Sequence, residues 1–384
     1  MRTIIFWSHL TAGVIAGAVI LVMSVTGVAL TYERQLIAWS DRGYHSTAAA
    51  GGTRLPLGAL LTRLQAARPD VTPTTVTLAS APDAPVTVAI PQRTLYVDAY
   101  SGAVLGEGSQ SVRRFMTAAR AWHRWLAVDG DGRRVARWFT GWANFIFLFI
   151  LCSGFYLWFP RIWSWRHIRP VVFFNGALGG RARDFNWHNT IGAWSAVPLI
   201  VVVACALPMS FSWANAALYR VMGDEPPRAA GEAGPAQRRG RDQALSAAIA
   251  PDILDAAWRR AAAQEAGWKT ITFRLPASAR APLAFGIDRG TGGQPQFRSM
   301  LTLARDGELV RYETFSNQRP GARLRAITRF AHTGEILGMT GQTIAGLATT
   351  GASVLVVTGL SLALRRFRSW TRRRADRRHE VAAA

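Results

Sequence analysis

The sequence predicts a membrane all-α four-helix transmembrane bundle with two α+β segments outside the bilayer. Two observations carry this. Four stretches are long and apolar enough to cross a bilayer, whose roughly 30 Å hydrocarbon core takes about 20 helical residues. None of them holds a Lys, Arg, Asp or Glu between its end residues, and a charge at mid-bilayer costs about 3 kcal/mol or more. The two long connections, by contrast, alternate apolar and polar residues in Val, Thr, Phe and Tyr at the period of strands.

In chain order, residues 1–32 form the first span. Its apolar run, from residue 4, exceeds the roughly 7–15 residues of a signal-peptide core, and no A-x-A site follows, so a retained anchor is expected. Residues 33–137 are the first outside segment, with a helix at 57–67 and strands near 71–78, 86–91 and 94–100. Residues 138–159 are the second span and 160–187 a short connection. The third span, 188–213, contains Pro198 and Pro208, which disturb that helix alone. Residues 214–337 are the second outside segment. It opens on a Pro-, Gly- and Arg-rich linker at 224–241. A helix near 253–263 and strands near 270–275, 283–287, 297–303 and 308–315 follow. Residues 338–364 are the fourth span, and 365–384 an Arg-rich tail. The plan is a duplication: span, outside α+β segment, span, short turn, then the same again.

The net charge is +22. Its distribution argues for membrane topology and against nucleic acid. Residues 1–4, 160–187 and 365–384 hold fourteen Arg against three acidic residues. Arg161, Arg166, Arg169, Arg181 and Arg183 lie in the middle connection. Arg365, Arg366, Arg368, Arg372, Arg373, Arg374, Arg377 and Arg378 follow the last span. Short Arg-rich segments stay in the cytoplasm, so both termini are expected there, with the tail against anionic lipid. Of fifteen Trp, Trp7, Trp39, Trp138, Trp158, Trp163, Trp187, Trp213 and Trp370 fall at or near span ends, as an interfacial belt would. Cys152 and Cys205, the two cysteines, lie inside spans and read as small packing residues.

Of seven histidines, His45, His167 and His379 sit in a loop, among arginines and in the tail. The other four, His9, His123, His188 and His332, each stand at or before the start of a span. Span direction puts His9 and His188 near the cytoplasmic face and His123 and His332 near the other. Gly13 and Gly17 follow His9 at i+4 and i+8, and Gly192 and Ala196 follow His188 likewise. Residues four apart share a helix face, so each His heads a stripe almost without side chains. Such stripes also let helices pack closely. Zinc normally takes four protein ligands, or three and a water, and no Cys lies near His9 or His188 in sequence. Two imidazoles and little else suit the axial positions of a haem. His123 lies about fifteen residues before its span, so its direct ligation stays open.

These residues sit in longer blocks. They run from His9 through Ser24-Val25-Thr26-Gly27-Val28, and include Trp122-His123-Arg124-Trp125-Leu126, Ser153-Gly154-Phe155-Tyr156-Leu157-Trp158 and Trp187-His188-Asn189-Thr190-Ile191-Gly192. His332-Thr333-Gly334-Glu335-Ile336-Leu337-Gly338 and Thr358-Gly359-Leu360 complete the set. In the first outside segment, residues 95–106 (LYVDAYSGAVLG) look like the PepSY strand–turn–strand signature. The chain resembles the PepSY-associated transmembrane family, and within it the inner-membrane ferric-siderophore reductases. Two departures stand out. The third span ends Leu207-Pro208-Met209-Ser210-Phe211, without the Gly of the other three, and the second outside segment matches only loosely, at residues 303–309.

The resemblance implies two PepSY-like periplasmic modules and a place in the bacterial inner membrane. It implies two haem b, held by His9 with His188 and by His123 with His332, and one-electron reduction of a periplasmic ferric siderophore. Some relatives carry a flavin reductase domain; none follows the Arg tail here, so a cytoplasmic or membrane electron donor of unknown identity is expected. Two other readings stay open. One is a non-catalytic PepSY membrane protein that senses or inhibits a periplasmic partner. The other is a small-ligand transporter, against which the spans lack a charged midplane.

Overall fold

The computed structural model describes residues 1–48, 52–91, 93–160, 162–227, 249–276, 278 and 281–383. Arg161 and residues 228–241 of the predicted linker lie outside the described residues, as do the side chains of 377–383. The elements, in order, begin with α1 (Arg2–Thr31), α2 (Glu33–Ser40) and α3 (Leu57–Ala67). Strands β1 (Thr75–Ala79), β2 (Val86–Ile90), β3 (Arg93–Val97) and β4 (Val104–Glu107) follow. Next come α4 (Gln110–Trp125), α5 (Gly132–Trp158), α6 (Trp165–Val172), α7 (Gly180–Ser210), α8 (Ser212–Val221) and α9 (Pro251–Gln264). Strands β5 (Thr270–Arg274), β6 (Leu283–Asp288), β7 (Arg298–Leu303) and β8 (Leu309–Thr314) precede α10 (Pro320–His332) and α11 (Gly338–Ala383). The chain divides into two compact units.

The first unit comprises Met1–Glu33, Phe115–Leu218 and Ile327–Ala384. Four of its helices, α1, α5, α7 and α11, are long and apolar enough to cross a membrane, which makes the chain a multi-pass membrane protein. Each packs on two neighbours: α1 on α5 and α11, α7 on α5 and α11. Ala16, Ile20, Phe147, Leu151, Leu199, Val203, Ala348 and Ala352 meet at the centre. The alanines let the backbones approach, as small residues do between membrane helices. Buried polar groups are satisfied across the bundle. The Asn144 amide donates to the Val203 carbonyl at 3.1 Å, and the Gln342 amide to the Thr31 carbonyl at 2.7 Å. Near the start of α7, buried Asp184 accepts from Ser361 at 2.8 Å and faces Arg365 at 3.6 Å, tying α7 to α11.

The helices overrun the predicted spans. α5 starts at Gly132 and α7 at Gly180, two turns before His188, while α11 carries on through the Arg tail. Helical hydrogen bonding does not stop where apolar composition stops, and Arg is a good helix former. α7 also runs through both prolines.

The second unit comprises Arg34–Arg114 and Tyr219–Ala326. Both outside segments contribute to it, and their strands form one eight-stranded sheet in the order β4-β3-β2-β1-β5-β6-β7-β8. The seam is the antiparallel pair β1–β5, with Thr77 opposite Thr272 and their hydroxyls 3.1 Å apart. On the other face Val76, Ile271, Phe273, Phe285 and Leu301 join a core that Leu57, Leu60 and Leu64 of α3 and Leu254, Ala257 and Ala261 of α9 complete. α3 and α9 lie against each other. A Cβ on Gly58 would stand 2.5 Å from the Pro251 carbonyl oxygen, and the Gly58 N–H donates to Asp255 at 2.6 Å. Each segment is thus one helix followed by a four-stranded meander, joined edge to edge through its first strand.

The turn after β3 is built on Asp98. Its carboxylate accepts from the N–H groups of Thr47, Tyr100 and Ser101 and from the Ser101 hydroxyl, at 2.7–2.9 Å. Gly102 takes the positive φ of 76° that closes it.

Candidate functional site

The site is assembled around the four histidines, all in the first unit. His9 lies in α1 and His188 in α7. Both line one cavity of about 680 Å³ among α1, α5, α7 and α11. Gly13 and Gly192 line it too. A Cβ on Gly13 would meet nothing within 4 Å, and one on Gly192 would reach only Leu355, at 3.7 Å. The two stripes seen in the sequence therefore clear the wall of a shared chamber.

His123 and His332 reach each other by elements the apolar pattern did not show. His123 lies in the last turn of α4, a strongly amphipathic helix that precedes α5, and the turn between them takes positive φ at Leu126 (50°) and Ala127 (58°). His332 is the last residue of α10, and a left-handed Gly334 turns the chain into α11. The two imidazole centroids are 6.3 Å apart. A metal bonded to both rings at about 2.0–2.1 Å holds their centroids ~6 Å apart, so the pair stands at the separation of a two-imidazole site.

What faces each imidazole from behind is repeated. Ser153 Oγ lies 2.9 Å from His9 Nδ1, Thr358 Oγ1 3.0 Å from His188 Nδ1, and Thr26 Oγ1 3.2 Å from His123 Nδ1. Each hydroxyl has one proton, and each donates it to its own helix: Ser153 to the Ile150 carbonyl, Thr358 to Val354 and Thr26 to Val22, at 2.6–3.1 Å. Toward the imidazole the hydroxyl is then an acceptor only, so Nδ1 must carry the hydrogen. The Met23 carbonyl at 2.8 Å imposes the same on His123, and the Val202 carbonyl at 2.8 Å imposes it on His332. All four rings are held as Nδ1–H tautomers, which leaves Nε2 with a bare lone pair, the form in which a histidine ligates a metal.

A glycine follows each of the three hydroxyl residues, and each lies close against the imidazole. A Cβ on Gly154 would stand 3.0 Å from His9 Cε1, one on Gly359 3.2 Å from His188 Cε1, and one on Gly27 3.3 Å from His123 Cε1. The fourth position departs. The offset from His9 to His188 also carries Gly13 to Gly192 and Met23 to Val202, and it carries Thr26-Gly27 to Cys205-Ala206. His332 therefore keeps the carbonyl acceptor and has neither hydroxyl nor glycine beside it. The lack of a Gly at the end of the third span, noted in the sequence, has its place here.

Each histidine leans on the partner helix of its own half, α1 with α5 or α7 with α11, and each pair draws one imidazole from each half. Ser153, Thr358 and Thr26 were visible only as parts of motifs, since their role depends on a histidine more than 90 residues away in the chain. Arg2, Arg181 and Arg366, which also line the cavity, were read only as topology signals. Near the second pair, burial and the neighbouring Arg137, Arg120 and Arg329 push the Arg124 guanidinium below its ordinary value. The cavity beside His9 and His188 has room for a flat ligand, and His123 and His332 stand at a separation two ligands of one metal could have. Among the described residues no group of three or more His, Cys, Asp or Glu offers another kind of metal site.

Comparison with known proteins agrees with the resemblance read from the motifs. The model of the PepSY-associated TM region family matches residues 6–366, and the chain belongs to that family. A comparison with curated proteins gives no match.

Proposed function

We propose that this protein carries single electrons across a bacterial inner membrane, through two haem b, to a ferric siderophore on the periplasmic side. One observation carries the reading: four Nδ1–H imidazoles stand as two pairs, His123 and His332 with ring centroids 6.3 Å apart, and His9 and His188 on one cavity. Bound at each pair, haem would supply a one-electron Fe(III)/Fe(II) couple.

The chain's own residues do the rest. His9 with His188, and His123 with His332, would hold the iron from both sides. Ser153, Thr358, Thr26 and the carbonyls of Met23 and Val202 fix the rings and raise their basicity. Gly13 and Gly192 leave room for a flat ring, and apolar walls such as Phe147, Leu151 and Val356 keep water out. Two redox centres divide a roughly 30 Å low-dielectric layer into shorter transfers. The acceptor follows from ligand hardness: the oxygen ligands of a siderophore prefer Fe(III), so one electron loosens their grip. The donor would be a cytoplasmic or membrane reductant.

The test is a pyridine haemochrome assay with reduced-minus-oxidised spectra on purified protein. The expected result is close to two haem b per chain, low-spin in both redox states. Protein free of haem after expression under haem-replete conditions would overturn the proposal and leave the non-catalytic reading.

A further inference from the structure

We infer that the arginines which the duplication sets beside each histidine pair receive the two carboxylates on the edge of the macrocycle proposed above. These are Arg2 and Arg181 at one pair and Arg120 and Arg329 at the other. The inference rests on the haem reading and deepens it.

The offset that relates His9 to His188 also relates Arg2 to Arg181, and the offset from His123 to His332 also relates Arg120 to Arg329. Arg2 and Arg181 each stand seven residues, two turns, before their histidine; Arg120 and Arg329 each stand three residues, one turn, before theirs. Both spacings put Arg and His on one helix face. The duplication therefore repeats an arginine with every ligand, one or two turns before it on the same helix.

The surroundings point to an anion. Arg2, Arg181 and Arg366 line the His9–His188 cavity, and among the described residues no acidic residue lines it. Arg2 is held by the carbonyls of Leu157 and Phe159, the latter at 3.1 Å, and Arg366 lies 4.8 Å over the Trp7 ring and 5.2 Å over Phe6. These contacts position the guanidinium groups without neutralising them. At the second pair, Arg120 meets Glu33, and Arg124 and Arg329 stand one residue after His123 and three residues before His332. Like charges gathered at an apolar chamber repel until an anion joins them. A guanidinium fork matches a carboxylate in two hydrogen bonds. Two arginines related by the duplication match two carboxylates at one edge of a ring whose two faces the duplicated histidines hold. Phosphates of lipid headgroups would satisfy single arginines but have no reason to follow the histidine register.

The experiment compares haemin with its dimethyl ester, in which both carboxylates are blocked. Full-length protein from haem-deficient cells, in nanodiscs of zwitterionic lipid, is titrated with each. A His123→Ala/His332→Ala background isolates the first site. Two charge-assisted pairs make the free acid bind roughly 100-fold tighter than the ester. Arg181→Gln cuts that preference about tenfold while leaving ester affinity unchanged, which shows that the site is still folded, and Arg181→Lys restores part of it. Equal binding of acid and ester by the unsubstituted protein overturns the inference, leaves the haem reading standing and assigns the arginines to lipid. If neither ligand binds, the haem reading itself falls and this inference with it.

Discussion

Glycine 154 carries no side chain because an imidazole occupies the place one would take. A methyl group there would stand 3.0 Å from His9 Cε1, and a helix backbone has no room to withdraw. In Gly154→Ala the ring must shift, which disturbs its 2.9 Å contact with Ser153. Disturbing an outer-shell partner of this kind costs about 10–100-fold in metal affinity. If haem binds as proposed, Gly154→Ala, and Gly359→Ala at the equivalent contact, should deplete the haem at His9 and His188 while sparing the other. Haem-to-protein ratios and reduced spectra measure this, and an unchanged spectrum would sever the glycines from the site. The sequence made the histidines and their Gly13 and Gly192 stripes legible because these repeat along one helix. The hydroxyl–glycine partners were not legible in the same way. Ser153-Gly154 or Thr358-Gly359, seen in an apolar run, has the composition of ordinary helix packing, and only the fold brings a ring against it.

At the scale of elements, the strands and the two helices on the sheet lie close to where alternation put them. The first three spans do too, within about two turns at their ends, while the fourth helix runs on from 364 to Ala383. α4 and α10 were missed. Both are rich in Arg, and both were read as parts of outside segments, so neither was recognised as the carrier of a site histidine. The single sheet was also hidden, since nothing in two separate meanders says that β1 pairs with β5. One ion pair fastens the first meander. Asp41 meets Arg113 at 2.6 Å and accepts from Tyr96 at 2.9 Å and from the Ser109 N–H at 2.7 Å. Burial alone would raise its carboxyl, but Arg113, Ser109 and Tyr96 together hold it below the usual carboxylate range. A folded-state value below the unfolded one, about 3.9, gives stability that is complete above that pH and lost as pH falls through the folded value. Asp41→Asn keeps the shape but strands Arg113, and removing one partner of a buried pair costs about 3 kcal/mol. We expect the variant to unfold at lower temperature at neutral pH and to lose less stability than the parent below pH ~4. Calorimetry across pH measures both, and parallel curves would remove Asp41 from the acid response.

The whole molecule is two halves, each supplying a spanning pair, a helix-plus-meander and two histidines. The sequence displayed the duplication, and the direction of the spans sorted the histidines by membrane face. That sorting rests on a topology which reporter fusions can check: sites after Glu107 should score periplasmic, and sites near Asn175 or after residue 384 cytoplasmic. The decisive consequence lies in how the halves share their ligands. His9 and His123 belong to one half, and His188 and His332 to the other, yet each pair takes one imidazole from each. Two double variants with the same number of lost histidines must then behave differently. His9→Ala with His188→Ala empties one site, leaves the other whole, and should retain about one low-spin haem per chain. It should be little worse than either single change, since two ligands of one metal act as a unit. His9→Ala with His123→Ala leaves each site with one imidazole. It should yield weakly held, high-spin haem at both places, with the low-spin spectrum lost altogether. Electron passage should stop in both, because the transfers are in series, but only the first variant should keep a site on the periplasmic side that an external reductant can fill. If the two double variants gave the same spectrum, the histidines would not be paired across the halves, and the two-site arrangement would have to be abandoned.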